Sequence, residues 1–216
     1  FLLKAITSSD KRFPYFKVSL RRGLFWYYLE YNNQSWIPVV DDFILCKGLD
    51  KHKKNKLLFR ILVKNNHISV EFSHILTDGY GAYIFLITLL KYYFSEQGII
   101  ISEGDCLPSD LTMDHEEFED AYKRYFNVNI PPIIKYSKAF HLPFPRNTRP
   151  RFHVLTAVVS LDEIKLRSRE RNVSITDYLT SVYLFVLQDI YNDLPAHNYF
   201  RKRKFLRIQV PVNLRK

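Results

Sequence analysis

Two apolar runs stand out along the chain: 57–63, broken only by Arg60, and 68–73, in which apolar and polar residues alternate, with Lys64-Asn65-Asn66 between them. Their β-branched and aromatic residues predict strands, and the polar triplet predicts a hairpin turn between them. On the second strand Ile68, Val70 and Phe72 share one face, while Ser69, Glu71 and Ser73 share the other. Beyond it the period changes. Ala82, Phe85, Leu86, Leu89, Leu90 and Tyr93 recur at steps of three and four, with Ile84 and Ile87 widening the stripe, which predicts a helix over 80–94. A helix apolar around so much of its circumference is expected to be covered on more than one side.

The same reading extends along the chain. The opening 43 residues mix a helix end, Pro14 and an aromatic strand over 24–31, and 47–55 is a charged connector. Gly98, Gly104, Pro108, Pro131, Pro132, Pro143 and Pro145 punctuate the irregular stretch 95–145, within which 114–126 reads as an acidic surface helix. A strand is expected over 151–160. A charged helix follows over 161–171, with Ser160 or Asp162 at its start and Asn172 at its stop. Ser174-Ile175-Thr176-Asp177 opens another helix, striped by Leu179, Val182, Tyr183, Val186, Leu187 and Ile190. A last strand is expected over 205–212. Helices and strands alternate, so the expected class is α+β, a mixed sheet flanked by helices. No repeat and no domain boundary is visible, and 216 residues are read as a single domain with a sizeable core.

Composition narrows the function classes. Seventeen Phe and fifteen Tyr, 47% hydrophobic residues in all, point to a globular protein in which core packing absorbs most of the aromatics. A formal charge of +10 invites a nucleic-acid reading. The basic residues are scattered, however, and no helix-turn-helix, zinc-finger or ribonucleoprotein signature accompanies them. No nucleic-acid partner is therefore expected. Cys46 and Cys106 lack Cys-x-x-Cys spacing, and the histidines form no ligand pattern, so neither a metal nor a disulfide framework is expected. There is no Gly-x-Ser-x-Gly elbow and no phosphate-binding glycine loop. No apolar run approaches about 20 residues, so stable membrane insertion is not expected. With no visible signal peptide, the expected location is cytoplasmic.

Candidate chemistry concentrates where the second strand meets the helix, in His74-Ile75-Leu76-Thr77-Asp78-Gly79. By parity His74 continues the apolar face of the strand and is expected to point into the protein. A neutral imidazole, with an ordinary pKa of about 6.5, can act as a general base at cellular pH. Asp78 stands where an N-cap belongs, and its charge suits the helix dipole. Two of the six glycines, Gly79 and Gly81, fall in this turn, which suggests close backbone approach. Ser73 points away from its neighbour His74, so the two make no local nucleophile–base pair.

The motif, with its strand and helix, resembles the chloramphenicol acetyltransferase-like superfamily, which includes condensation domains and alcohol acetyltransferases. A second match is Leu206-Arg207-Ile208-Gln209-Val210-Pro211-Val212-Asn213-Leu214-Arg215, similar to a strand ending in a Val-Asn-Leu-Arg type motif late in the first half of two-half members. Arg12-Phe13-Pro14-Tyr15-Phe16, with Leu20 and Phe25-Trp26-Tyr27, resembles the opening of alcohol acetyltransferase-type members. The resemblance implies a chloramphenicol acetyltransferase-like half over residues 1–216, with His74 as general base. It implies an Asp78–Arg215 salt bridge fixing the loop, Asp78, Gly79 and Arg215 being structural supports of the site. An acyl group, acetyl first, would pass from an acyl-CoA co-substrate such as acetyl-CoA to a small alcohol or amine. No cofactor-binding residue is assigned. The Asp-Phe-Gly-Trp-Gly type motif of the second half is missing and Met113 is the sole methionine, so the chain is read as an excised first half. Catalysis would then need the C-terminal half or a homo-oligomer to complete the site. The alternative is an inactive half-domain serving as a binding or scaffold module.

Overall fold

The computed structural model describes residues 1–42, 49, 55–101, 113–119, 124–129, 136–145, 148, 155–195, 203 and 205–210. The chain falls into two compact units, Phe1–Asn127 and Val128–Lys216. The described elements are α-helices and two small β-sheets, so the class is α+β.

In the first unit, helix α1 (Leu2–Arg12) leads through a 3₁₀ turn, Pro14–Phe16, into strand β1 (Val18–Arg22). β1 pairs antiparallel with β2 (Tyr27–Tyr31), with Leu20 opposite Leu29. The aromatic strand expected over 24–31 thus begins three residues later, because 24–26 form the hairpin turn. A separate sheet has the order β3-β4-β5: β3 (Val39–Val40) runs parallel to β4 (Phe59–Lys64), and β4 pairs antiparallel with β5 (His67–Phe72). The expected hairpin is present. Lys64 faces His67 across a two-residue loop, and Asn65 takes a φ of 51°, a left-handed conformation that asparagine tolerates well.

Ile68, Val70 and Phe72 turn together toward the core, as their shared face requires. Helix α2 (Gly79–Ser95) packs on β5 on one side and on α1 on another, which accounts for its wide apolar stripe. Phe85 and Leu89 are completely buried between them. Much of the phenylalanine content is spent here. Phe59 stacks on Phe72 with ring centroids 5.0 Å apart, Phe85 lies 5.3 Å from both Phe13 and Phe72, and Trp36 meets Phe59 edge-on at 4.9 Å. Such aromatic pairs add about 0.5–1.5 kcal/mol each beyond the area they bury.

Within the acidic surface helix expected over 114–126, the described residues form a 3₁₀ turn (His115–Glu117) and, at Arg124 and Tyr125, α-helix. Asp114 caps it reciprocally with Glu117. Glu117 is not simply a solvated residue. It accepts two hydrogen bonds from Arg12, at 2.9 and 2.6 Å, and one from the Tyr15 hydroxyl at 2.7 Å.

In the second unit, helices α3 (Leu161–Glu170) and α4 (Ile175–Asp193) form a pair. Both begin as the sequence predicts: Ser160 accepts from the Glu163 amide, and Ser174 with Asp177 makes a capping box. Asn172, between them, has a φ of 52°. Two strand expectations are corrected. Residues 155–160 are irregular and exposed where a strand over 151–160 was expected. Of the strand expected over 205–212, the described residues 205–210 make only one parallel bridge, Phe205 to Ala139. Alternating apolar residues form a strand only when a partner strand takes up their backbone groups.

Candidate functional site

The turn that carries His74 is built by its flanks. β5 ends at Phe72, and the Ser73 amide makes a last cross-link by donating to the Leu58 carbonyl at 2.7 Å. The chain then turns through 74–76, and the Leu76 amide donates back to the Ser73 carbonyl at 2.8 Å. Leu76 packs against the core and anchors the turn. Asp78 accepts from the Gly81 amide at 2.9 Å and so caps α2, while its own carbonyl takes the Ala82 amide at 3.1 Å. The capping role expected of Asp78 is thus present.

The two glycines have different roles. A Cβ on Gly81 would lie 2.1 Å from the Thr77 Oγ1, far inside contact distance. A Cβ on Gly79 would meet nothing within 4 Å. Close approach therefore explains Gly81, whereas Gly79 is not required by space.

His74 departs from expectation. It is exposed, and its side chain has no hydrogen-bond, ion-pair or ring partner among the described residues. Strand parity would direct His74 inward only if the strand continued to residue 74. The ladder instead stops at Phe72, and the turn that follows releases the imidazole from the sheet's alternation. An exposed imidazole of this kind is open to an approaching hydroxyl or amine, and among the described residues no neighbour fixes its tautomer. Arg215 lies outside the described residues, and the expected Asp78–Arg215 salt bridge lies there with it. Cys46 and Cys106 also fall outside them. Among the described residues, no group of three or more His, Cys, Asp or Glu side chains is arranged to hold a metal.

Two features elsewhere escaped sequence reasoning. One is the clasp between Arg12, Tyr15 and Glu117, which joins residues about a hundred positions apart. No local pattern signals it, although Arg12 and Tyr15 belong to the Arg12-Phe13-Pro14-Tyr15-Phe16 segment. Burial would raise the Glu117 carboxyl, but the hydrogen bonds from Arg12 and Tyr15 outweigh it and hold the group below its ordinary range. Tyr15 is pushed well above the usual phenol value by burial and by its hydrogen bond to Glu117. The other feature is a cavity of about 550 Å³ between the segment 34–39 and β4, walled by Trp36, Ile37, Leu57 and Ile61, with Lys56 among its lining residues. A second cavity, of about 540 Å³, lies against α4 at Leu179 and Tyr183. His74 lines neither.

No protein-family model matches this chain, and no curated protein matches it either.

Proposed function

We propose that this chain is the base-bearing half of an acyltransferase of the chloramphenicol acetyltransferase-like kind. It would move an acyl group, acetyl first, from acyl-CoA to a small alcohol or amine. One observation carries the reading: His74 stands exposed in a tight turn between a core strand and a helix capped by Asp78, with Gly81 admitting Thr77 at close range. This arrangement offers an accessible imidazole on a well-anchored support, which suits a general base.

In the proposed step His74 takes the proton of the acceptor hydroxyl or amine as the acceptor attacks the thioester carbonyl. The tetrahedral intermediate collapses with cleavage of the carbon–sulfur bond, and the imidazolium returns the proton to the departing thiolate. Acyl-CoA is a co-substrate in this reading, and a second half or a second copy would complete its site. Asp78 supports the turn by capping α2, and Arg215 would hold Asp78 through a bidentate pair. A binding or scaffold module is the second reading, favoured by the lack of any described group that fixes His74.

The test is acceptor-dependent release of free thiol from acetyl-CoA, measured with alcohols and amines on the longest form of the protein and its His74→Ala variant. Loss of about a hundredfold or more in the variant, with unchanged circular dichroism, is the expected result. Equal turnover by both would remove His74 from the mechanism. No release by either folded protein would favour the scaffold reading.

A further inference from the structure

The β1–β2 hairpin ends in a turn of unusual chemistry. Hairpin turns are ordinarily built from Gly, Asn, Asp, Ser or Pro. Here Gly23 is followed by Leu24, Phe25 and Trp26, and the turn is closed by the Gly23 amide donating to the Trp26 carbonyl at 2.7 Å. Leu24 and Phe25 are 91% and 90% exposed and Trp26 is 65% exposed. No other run of three consecutive large apolar side chains among the described residues is so open to solvent. Below the tip, Tyr27, Tyr28 and Tyr31 are exposed as well. Arg22, opposite Tyr27, has no acidic partner among the described residues, while Arg21 is paired with Glu30.

The order along this protrusion is that of a bilayer interface. Leu24 and Phe25 are purely apolar, Trp26 and Tyr27 are the amphipathic aromatics favoured at headgroup depth, and Arg22 is a cation at phosphate level. A protein partner would need a socket shaped to a convex tip, whereas acyl chains yield to any shape. The chain's net charge of +10 supplies attraction to anionic headgroups. No helix among the described residues is long and apolar enough to span a membrane, so the contact would be peripheral.

We infer that the hairpin tip Leu24-Phe25-Trp26 is a peripheral membrane-docking element that inserts into the interface of anionic bilayers, with Arg22 at the headgroups. The inference stands apart from the acyl-transfer reading, and its test does not use activity.

The chain has only two tryptophans, and Trp36 is buried, so Trp26 is a native reporter. The experiment mixes the protein with vesicles of phosphatidylcholine alone or with 30% phosphatidylserine, some carrying brominated acyl chains. Expected are a blue shift and bromolipid quenching of Trp26, with affinity about fivefold or more higher on the anionic vesicles. Phe25→Asp should weaken co-sedimentation about tenfold or more while leaving circular dichroism unchanged. Trp26→Phe should still co-sediment but lose most of the quenching. Three results would overturn the inference. One is no vesicle-dependent change in the folded protein. Another is vesicle binding indifferent to Phe25→Asp, which would place the contact on the scattered basic clusters. The third is a blue shift on concentrating the protein without vesicles, with dimers in sedimentation, which would make the tip a contact between copies.

Discussion

Arg12 shows how a single side chain can tie down a distant segment. Its guanidinium is 4% exposed and grips the Glu117 carboxylate through two nitrogens, the geometry in which arginine is strongest. The Tyr15 hydroxyl adds a third hydrogen bond, and Tyr15 stacks on Phe118 at 5.9 Å. Because the folded state holds Glu117 below its ordinary value of 4.5, its contribution to stability is complete above that pH. It is lost as the pH falls through the lower folded value. Tyr15 has the opposite sign: raised above its ordinary 10.0, it contributes below pH 10 and loses that contribution as the pH rises beyond it. Glu117→Gln should therefore cost about 2 kcal/mol at pH 7 in urea unfolding, and the difference from the parent should shrink progressively as the pH falls below 4.5. A difference that stays constant from pH 7 to the most acidic pH at which the protein remains folded would mean that charge is not what the clasp uses. None of this was legible in the sequence, since the partners lie about a hundred positions apart and no local pattern links the Arg12–Phe16 segment to Glu117.

At the scale of elements, local chemistry was legible and partner-dependent structure was not. Ser160, Ser174 with Asp177, Asn172 and Asp78 all stand where capping rules place them, because a cap is decided by residues within one turn. The hairpin of β4 and β5 was legible for the same reason. Residues 155–160 and 205–210, the described parts of the two other expected strands, lack, among the described residues, the partners that a strand needs and that sequence pattern cannot supply. His74 was misdirected by a parity argument that ran two residues past the last rung of β5. The start of α2 allows a sharp comparison. Gly79→Ala meets open space at the first helical position and should raise stability by about 0.4–1 kcal/mol, through the lower entropy of the unfolded chain and better helix propensity. Gly81→Ala gains the same propensity but forces the Thr77 hydroxyl out of a 2.1 Å overlap, next to the amide that Asp78 accepts. It should destabilise the protein, and Gly81→Ala with Thr77→Ala should recover most of the loss. Thermal unfolding of the three variants checks this ordering, and equal effects of Gly79→Ala and Gly81→Ala would refute the steric account.

Across the whole molecule, burial is unevenly shared. Every buried apolar side chain among the described residues belongs to Phe1–Asn127, where α1, α2, β4 and β5 meet. In Val128–Lys216 the described part of the long helix α4 has no buried residue, and Leu179, Val182, Tyr183, Phe185 and Val186 are 47–65% exposed along it. A helix of 19 residues is held by its own hydrogen bonds and its capping box, yet most helical stability in proteins comes from packing of the apolar face. The motif bearing His74 sits on the better-packed unit, consistent with a site that must hold its geometry. Amide exchange should register the contrast, since protection follows the free energy of local opening. Amides in the middle of α2, around Phe85 and Leu89, should exchange about tenfold or more slowly than those around Val182 and Val186. If α4 proves equally protected, dilution decides the cause. Protection that falls with concentration would show a second copy covering the face, and protection that does not would show that the helix is buried within its own chain.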